Sequence, residues 1–333
     1  MRNFSLWCDF IENNFLEKEF LDLLNSKVNG ATSNPSIFKN AILNSLFYKD
    51  QIVKLKGKKA KEIYEELAIN DIKKAADKLM PHFLNFNDGF ISLEIDPRFY
   101  DHTSLSLGEA KRLYSAISKE NVMMKIPATE ASYEVMYELM KEGVSVNATL
   151  VFSQDQGKKC FDALNEGLKY FNQKNPYLNK TKTPKAVISI FVSRFDKFFD
   201  IKVLEQGSIG VLNANLIYND IIKNNQSNIR ALFASTGVKD NSLYKDYYIK
   251  ELLFEDSVNT APLDAIYAFN EDYTFKTPLD NTEIYAKLNQ IVSLYDLQKA
   301  YKSLMDDGLE QFCIAYEDIL SALSLNILKS KKL

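Results

Sequence analysis

The sequence is poor in the residues on which several common kinds of enzyme depend. Histidine occurs only twice among 333 residues, as His82 and His102. A Ser-His-Asp triad would have to use one of these two side chains, and a metal site with several histidine ligands is nearly excluded. We therefore predict no metal site, and we expect any acid-base chemistry to depend on carboxylates and lysine.

Cysteine is also scarce, and long apolar runs are missing. Cys8, Cys160 and Cys313 are far apart, which argues against a disulfide framework and against a Cys-x-x-Cys metal or redox site. A reducing compartment fits this usage. The N-terminus carries Asp9 and Glu12 where a secretory signal needs an unbroken apolar region, and no run is long enough to span a bilayer. We predict a soluble, cytoplasmic protein.

Neither sign of charge dominates the chain. It has 41 basic and 44 acidic residues, with a formal net charge of -3. Nucleic acids and anionic membranes attract strongly basic surfaces, so this balance gives no general case for either partner. A basic cluster at positions 54–61 is better explained as a solvated helix start. We expect no nucleic-acid or membrane partner.

What the chain does contain is an alternation of short β-rich segments with longer segments of helical period. At 46% hydrophobic residues it can bury a large core, and no linker rich in Gly, Ser or Pro divides it. The alternation is typical of βα units around a parallel sheet. The predicted strands are 4–9, 29–33, 89–95, 122–126, 144–150, 186–192, 230–235 and 256–260.

Eight such units predict an α/β protein with a single (β/α)8 TIM barrel domain spanning residues 1–333. After the eighth predicted strand, residues 294–328 repeat apolar residues at helical spacing, interrupted near Gly308. We predict that residues 280–330 form additional C-terminal helices, an extension packed on the barrel. The sequence is compatible with a monomer or a homodimer.

One predicted strand carries a lysine among apolar residues. Residues 122–128 read Val-Met-Met-Lys-Ile-Pro-Ala, with Lys125 in the middle. Lysine is seldom fully buried, because a desolvated ammonium is costly. Burial favours the neutral amine, a nucleophile that can form a Schiff base with a carbonyl. A strand-end lysine whose amine reaches solvent would explain the same stretch, so the other strands must decide.

Strand parity groups polar residues on one face of several strands. Side chains two apart share a face, and active sites of parallel barrels lie at the C-terminal ends of the strands. Outward faces are apolar because helices cover them. We expect an interior active site, although a structural polar network would give the same pattern. The residues on these faces are Ser5, Trp7, Asp9, Ser92, Glu94, Asp96, Met123, Lys125, Ser145, Asn147, Thr149 and Ser189.

A neutral lysine facing a carboxylate, hydroxyls and amides suits Schiff-base aldol chemistry. The lysine adds to a ketone, water is lost, and the iminium accepts the electrons released when the adjacent carbon-carbon bond breaks. Proton transfer needs a general acid-base. Glu94 is the first candidate, and Asp9 is the second, as partner of a substrate hydroxyl. For each, pairing with a neighbouring lysine is the structural alternative.

Three further polar side chains are candidates for binding a polyhydroxylated substrate. Asn147 and Thr149 would bind its hydroxyls, but a satisfied core network would also explain them. Asn34 would do the same, although Asn34-Pro35 is equally typical of a turn and helix start.

Phosphate recognition is predicted at two strand ends. Ser193 and Arg194 stand where the sixth strand gives way to a helix, so Arg194 can meet an anion there. Ser235 and Lys239 follow the seventh strand, and phosphate sites in the seventh and eighth loops are common in this barrel class. Solvated loops would explain Arg194 and Lys239 nearly as well.

The chain resembles the transaldolase family in six segments, which follow the family's order. The resemblance runs from about position 9 to position 262. The segments are TSNPSIF at 32–38, KIPAT at 125–129, VNATLVFS at 146–153, SIFVSR at 189–194, ASTGVK at 234–239 and VNTAP at 258–262.

The resemblance implies a class I Schiff-base transferase of the pentose phosphate pathway, without metal or organic cofactor. It implies transfer of a dihydroxyacetone unit from sedoheptulose 7-phosphate to glyceraldehyde 3-phosphate, giving erythrose 4-phosphate and fructose 6-phosphate. Lys125 would be the Schiff-base lysine, with Glu94 as acid-base through a water and Asp9 assisting. Arg194 would bind phosphate. Asn34, Asn147, Thr149 and Ser189 would line the dihydroxyacetone site.

One segment departs from the family pattern, and two other functions stay open. Many members carry a second phosphate-binding arginine after the seventh strand, where this chain has Lys239, a point charge instead of a bidentate fork. The first alternative is an enzyme similar to fructose 6-phosphate aldolase, which releases free dihydroxyacetone. The second is a catalytically silent barrel that binds sugar phosphates. Glu94 and the predicted C-terminal helices favour transfer, because the related aldolases are shorter and carry tyrosine at the position of the glutamate.

Overall fold

Eight parallel strands form a closed barrel. The computed structural model describes residues 4–178, 182–199, 207–238, 243–270, 274–292 and 296–330. The strands pair in chain order and the eighth closes on the first. Each lies within two residues of its predicted segment, which confirms the predicted barrel. The strands are β1 (Phe4–Cys8), β2 (Gly30–Thr32), β3 (Ile91–Glu94), β4 (Val122–Pro127), β5 (Ser145–Val151), β6 (Ala186–Phe191), β7 (Ile229–Ala234) and β8 (Ser257–Ala261).

Helices connect the strands and follow the last one. None of the helices in the described residues is both long enough and apolar enough to cross a membrane. Among the described residues they are α1 (Asn13–Glu17), α2 (Glu19–Ser26), α3 (Pro35–Asn44), α4 (Leu46–Lys54), α5 (Ala60–Leu84), α6 (Thr103–Ile117), α7 (Glu130–Lys141), α8 (Gln154–Lys174), α9 (Ser193–Phe198), α10 (Ser208–Ile222), α11 (Tyr247–Glu251), α12 (Leu263–Ala268), α13 (Asn281–Val292) and α14 (Leu297–Ser330).

Alternating strand residues pack into two different buried clusters. Trp7 and Met123 belong to one cluster. Their strand neighbours Leu6 and Met124 belong to the other, which contains the residues that face the surrounding helices. This is the alternation expected of strands whose two faces are both buried.

Strand β5 departs from the predicted parity near its end. Its pairing with β6 is irregular between Ala148 and Val151, and Leu150 has a positive φ of 58. Regular alternation predicts that Leu150 shares the outward face of Ala148, but it packs in the same cluster as Trp7. The prediction is wrong because the irregularity turns the strand and reverses the alternation beyond it.

A network of hydrogen bonds between polar side chains closes the N-terminal end of the barrel. The Arg230 guanidinium donates hydrogen bonds to Asp88 at 2.8 Å and to the Ser5 hydroxyl at 3.2 Å. The Trp7 indole N–H donates to the other oxygen of Asp88 at 3.0 Å. Residue 30 must be glycine here, since a Cβ would lie 2.5 Å from the Trp7 indole nitrogen. This end of the barrel contributes to stability.

Helix α14 packs against α3 and α5 and reaches the C-terminal end of the barrel. It is continuous through Gly308, so the predicted interruption there is wrong. A Cβ on residue 308 would lie 2.9 Å from Leu150 Cδ2 and 3.5 Å from Arg194 Nη1. Glycine lets the helix backbone approach these side chains. Positions 294 and 295 lie outside the described residues, and the single-domain organisation stays a prediction.

Two helical glycines should respond oppositely to alanine. A Cβ on Gly167 of α8 would lie 2.4 Å from the Tyr137 carbonyl oxygen and 2.8 Å from Met140 Cβ of α7. Gly167→Ala should lower the free energy of unfolding by about 1–3 kcal/mol, because the two helices must separate. A Cβ on Gly108 of α6 would have no atom of the described residues beyond its own helix within 4 Å, so Gly108→Ala should raise it by about 0.5–1 kcal/mol. Urea denaturation followed by circular dichroism measures both, and shifts of equal sign would contradict this packing.

Candidate active site

Lys125 lies inside the barrel near the C-terminal ends of the strands. On β4 it pairs in register with Glu94 of β3 and Asn147 of β5. It is only 5% exposed, and its Nζ donates a hydrogen bond to the Ser33 carbonyl at 3.1 Å. Glu94 Oε2 lies 3.6 Å from Nζ, within ion-pair distance but too far for a hydrogen bond. The alternative of an amine in solvent is therefore wrong.

Glu94 is a buried carboxyl with an unusual proton affinity. Burial raises the pKa of Glu94 to about 7, although the positive charges of Lys125 and Arg194 oppose the increase. The charge of Asp9 adds to it. Oε2 has no hydrogen-bond partner among the described residues. A carboxyl that titrates near neutral pH can both give and accept a proton in a reaction.

Asp9 follows β1 and is half-buried at the same end of the barrel. Its Oδ1 accepts a hydrogen bond from the Thr32 hydroxyl at 2.6 Å, and the Thr260 hydroxyl lies 2.6 Å from the same Thr32 oxygen. Asp9 forms no ion pair with any described residue. The alternative, in which a neighbouring lysine pairs with the Asp9 carboxylate, is therefore not observed among the described residues.

Hydroxyl and amide groups from three strands meet beside the lysine. The Ser189 hydroxyl donates to Asn147 Oδ1 at 2.6 Å, and Asn147 Nδ2 donates to the Ser92 hydroxyl at 3.1 Å. The alternative of a satisfied core network therefore explains the hydrogen bonds of Asn147 and Ser189. The same alternative does not explain Thr149, because its buried hydroxyl has no partner among the described residues. Since buried polar atoms are rarely unsatisfied, this hydroxyl indicates a position for a ligand or water.

Asn34 begins helix α3 immediately after Ser33, whose carbonyl binds Lys125. Its side-chain oxygen accepts a hydrogen bond from the Ile37 backbone N–H at 3.0 Å, with Pro35 at the first helical position. The predicted turn and helix start is therefore present. The cap uses the oxygen of the side chain and leaves its NH2 group for other contacts.

Arg194 lies at the start of α9, directly after β6. Its guanidinium carbon lies 5.3 Å from the Phe191 ring centroid and 5.8 Å from that of Phe312. Nη1 is buried without a hydrogen-bond partner among the described residues. Burial lowers the pKa of Arg194, although the charge of Glu94 opposes this. The alternative of an arginine in a solvated loop is wrong.

Ser235 connects the loops after β6 and β7. It has a positive φ of 55, and its hydroxyl oxygen lies 2.9 Å from that of Ser193, the neighbour of Arg194. Lys239 lies outside the described residues, so its phosphate role stays a prediction. Within the described part of the chain, no three His, Cys, Asp or Glu side chains are grouped to hold a metal ion.

Asp96 does not join the site, although parity placed it on the face of Glu94. It makes ion pairs with Lys61 of α5 and with Arg98, both at 2.7 Å. Its Oδ1 also accepts from the Arg98 backbone N–H at 3.1 Å. The prediction is wrong because β3 ends at Glu94 and the chain turns, so alternation no longer applies.

Sequence reasoning missed three contributors to the site. The Ser33 carbonyl binds Lys125, and the Thr32 hydroxyl binds Asp9. The ring centroid of Phe312, from α14, lies 5.9 Å from Lys125 Nζ. Thr32 and Ser33 lie in a segment that carries the family resemblance, which was their only signal. Helical spacing showed that Phe312 is on a buried face but not what that face covers.

The chain is a (β/α)8 barrel with a buried lysine and carboxyl at the C-terminal ends of its strands. Polar atoms without a partner among the described residues lie at the same end, and together these features are typical of barrel enzymes that use a catalytic lysine. The sequence model of the family described as Transaldolase/Fructose-6-phosphate aldolase matches residues 6–323. The chain therefore belongs to the transaldolase/fructose-6-phosphate aldolase family, which confirms the family prediction.

Relatives agree with this assignment over nearly the whole chain. The chain is 70% identical over 325 residues to a protein named Transaldolase from Campylobacter jejuni subsp. jejuni, with 97% of this chain and 100% of the relative covered. A Transaldolase from Campylobacter jejuni subsp. doylei is 69% identical over the same length and coverage. A Transaldolase from Helicobacter pylori is 46% identical over 329 residues, with 97% and 100% covered.

Glu94 should change its protonation state near pH 7. Because burial raises the pKa of Glu94 to about 7, the carboxyl is protonated below that pH and ionised above it. The infrared band of its carboxylic acid should therefore fade as the pH rises through about 7, and Glu94→Gln should lack it. Burial also raises the pKa values of Asp71 and Asp196 to about 6, and their bands should persist in Glu94→Gln. Fading near the ordinary pKa of 4.5 would contradict the burial of Glu94.

Proposed function

We propose that the chain transfers a dihydroxyacetone unit from sedoheptulose 7-phosphate to glyceraldehyde 3-phosphate, giving erythrose 4-phosphate and fructose 6-phosphate. The observation that carries this proposal is the buried amine of Lys125, 3.6 Å from a carboxyl whose pKa is about 7. The three relatives named Transaldolase, which align over their full length, support it.

Lys125 provides the nucleophile in the proposed mechanism. Its amine attacks the ketone carbon of the donor, water leaves, and an iminium forms. The iminium accepts the electron pair of the adjacent carbon-carbon bond, so the aldose leaves and a three-carbon enamine stays on Lys125. The enamine carbon then attacks the aldehyde of the acceptor, and hydrolysis of the new iminium releases the product.

Glu94 and Asp9 divide the proton transfers. Glu94 moves protons while the iminium forms and is hydrolysed, and its pKa of about 7 suits both directions. Its distance of 3.6 Å from the lysine amine favours transfer through a water. Asp9 accepts the proton of the hydroxyl at the breaking bond, and the hydrogen bond from Thr32 orients its carboxylate.

The remaining polar groups bind substrate in this proposal. Their unpaired or only partly paired atoms can take hydrogen bonds from sugar hydroxyls and give them to phosphate oxygens. Nη1 of Arg194, which has no partner among the described residues, binds the phosphate. The Ser235 hydroxyl, 2.9 Å from that of Ser193 next to Arg194, and Lys239 assist. The groups that bind the dihydroxyacetone unit are Asn34, Asn147, Thr149 and Ser189.

We also propose a cytoplasmic location and a role in the pentose phosphate pathway, with sugar phosphates as partners of a monomer or homodimer. Cys8, Cys160 and Cys313 are all free thiols, which suits a reducing compartment. Neither a metal nor an organic cofactor is needed for the proposed chemistry, because the iminium itself accepts the electrons.

A covalent adduct should form on Lys125. Incubation with fructose 6-phosphate and borohydride should reduce the iminium to a stable amine, and peptide mapping should place the added mass on Lys125. Lys125→Arg keeps the positive charge but not a nucleophilic amine, so it should give no adduct and no turnover above background. Adduct formation on another lysine, or none at all in wild-type protein, would remove this mechanism.

Product analysis should separate transfer from simple aldol cleavage. With fructose 6-phosphate and erythrose 4-phosphate together, sedoheptulose 7-phosphate should accumulate. Without an aldose acceptor, cleavage should stop near one equivalent per site, because the three-carbon unit stays bound to the enzyme. Rapid multiple-turnover release of dihydroxyacetone would favour the aldolase alternative. No cleavage in either mixture would favour the silent barrel.

A further inference from the structure

Helix α14 presents three residues, one turn apart, to the C-terminal end of the barrel. Gly308, Phe312 and Tyr316 stand at i, i+4 and i+8 and so share one face. Gly308 allows the helix to approach Arg194, as described above. Tyr316 is 2% exposed, with the Arg98 guanidinium carbon 5.0 Å from its ring centroid. Contacts on both sides of Phe312 thus fix the helix over the strand ends.

The ring of Phe312 lies close to both cations of the site, buried Lys125 and half-buried Arg194. Its ring centroid lies 5.9 Å from Lys125 Nζ and 5.8 Å from Arg194 Cζ, and the residue is only 4% exposed. An aromatic ring attracts cations at its face, so both cations hold the ring in position. The ring is also apolar, so it excludes water from the side of the site that it covers.

The site that this ring covers contains unsatisfied polar atoms. Glu94 Oε2 and Arg194 Nη1 are both buried without hydrogen-bond partners among the described residues. A site with unsatisfied polar atoms attracts water. Because the Phe312 ring covers one side of this site, it limits the water that can reach Lys125.

We propose that Phe312 is a positioning residue that keeps bulk water from the three-carbon enamine on Lys125, and so determines the partition between transfer to an aldose and release of free dihydroxyacetone. This inference rests on the proposed function above. Phe312 neither gives nor accepts a proton. It acts through the water content of the site around Lys125 and Arg194.

The partition is set at the enamine carbon. In transfer, this carbon uses its electron pair to bond to the aldehyde carbon of the acceptor. In release, the same pair takes a proton from solvent and leaves an iminium. Water then adds to the iminium carbon and gives up one proton, and the carbon-nitrogen bond breaks. The products are dihydroxyacetone and the free amine of Lys125, with one water consumed. Since iminium hydrolysis follows both routes, only protonation of carbon distinguishes them.

A graded set of variants tests the proposal. With fructose 6-phosphate and no acceptor, release of dihydroxyacetone per trapped Lys125 adduct should increase in the order wild type, Phe312→Leu, Phe312→Ala, reaching on the order of tenfold in Phe312→Ala. Phe312→Leu keeps most of the apolar volume, so it should stay near wild type. Leu323→Ala, which removes a fully buried side chain elsewhere on α14, should lose stability without changing this ratio.

Two readouts separate this effect from a structural one. Incorporation of solvent deuterium into free dihydroxyacetone should rise with its release. Because burial is the main cause of the high pKa of Glu94, water entering Phe312→Ala should also lower the pH at which its infrared band fades, with Lys125, Arg194 and Asp9 unchanged around it. If Phe312→Ala does not fold, Phe312→Val, which removes less of the side chain, carries the test and should give a release ratio between those of wild type and Phe312→Ala.

The possible failures are distinguishable. If wild-type protein forms no adduct on Lys125, the proposed function fails. If the adduct forms in wild type and variants alike while the release ratio is the same in all of them, the proposed function stands and the role of Phe312 is overturned. An equal increase in Leu323→Ala would likewise overturn it, because loosening of α14 would then be the cause.

Discussion

Desolvation of Lys125 and Glu94 on adjacent strands is the constraint on which the rest of the site depends. Two ionisable groups taken out of water cost several kcal/mol each unless their charges are compensated. Here compensation is incomplete, since the two side chains are 3.6 Å apart and Glu94 Oε2 has no hydrogen bond among the described residues. A rigid scaffold must therefore hold them, and the closed barrel provides it by fixing β3 and β4 in register.

The two ends of the barrel treat buried charge in opposite ways. At the N-terminal end, the Arg230 and Asp88 side chains bind each other and their neighbours. At the C-terminal end, Arg194 and Glu94 each keep a polar atom that has no partner among the described residues. Buried polar groups with hydrogen-bond partners stabilise the fold, whereas a buried polar group without one gains free energy when a ligand binds to it. This asymmetry is typical of the division between stability and function in parallel barrels.

The parts of the site that could be predicted are those set by local periodicity. Alternation along regular strands placed Glu94, Lys125 and Asn147 together, because register and a period of two leave little freedom. The same argument failed for Leu150 and Asp96, since a strand irregularity and a turn end the alternation. The contact of α14 with the site depends on where a distant helix docks. The spacing of apolar residues in α14 predicted which face is buried. The predicted interruption of the helix at Gly308 was wrong.

The position of Phe312 after the eighth strand also has a consequence for the order in which the protein is made. Synthesis proceeds from the N-terminus, and the strand that closes the barrel ends at Ala261, well before α14 begins at Leu297. All eight strands, with Lys125 on one of them, can therefore leave the ribosome while Phe312 is still inside it. Helix α14, which places Phe312 beside Lys125, thus emerges only after the strands of the barrel.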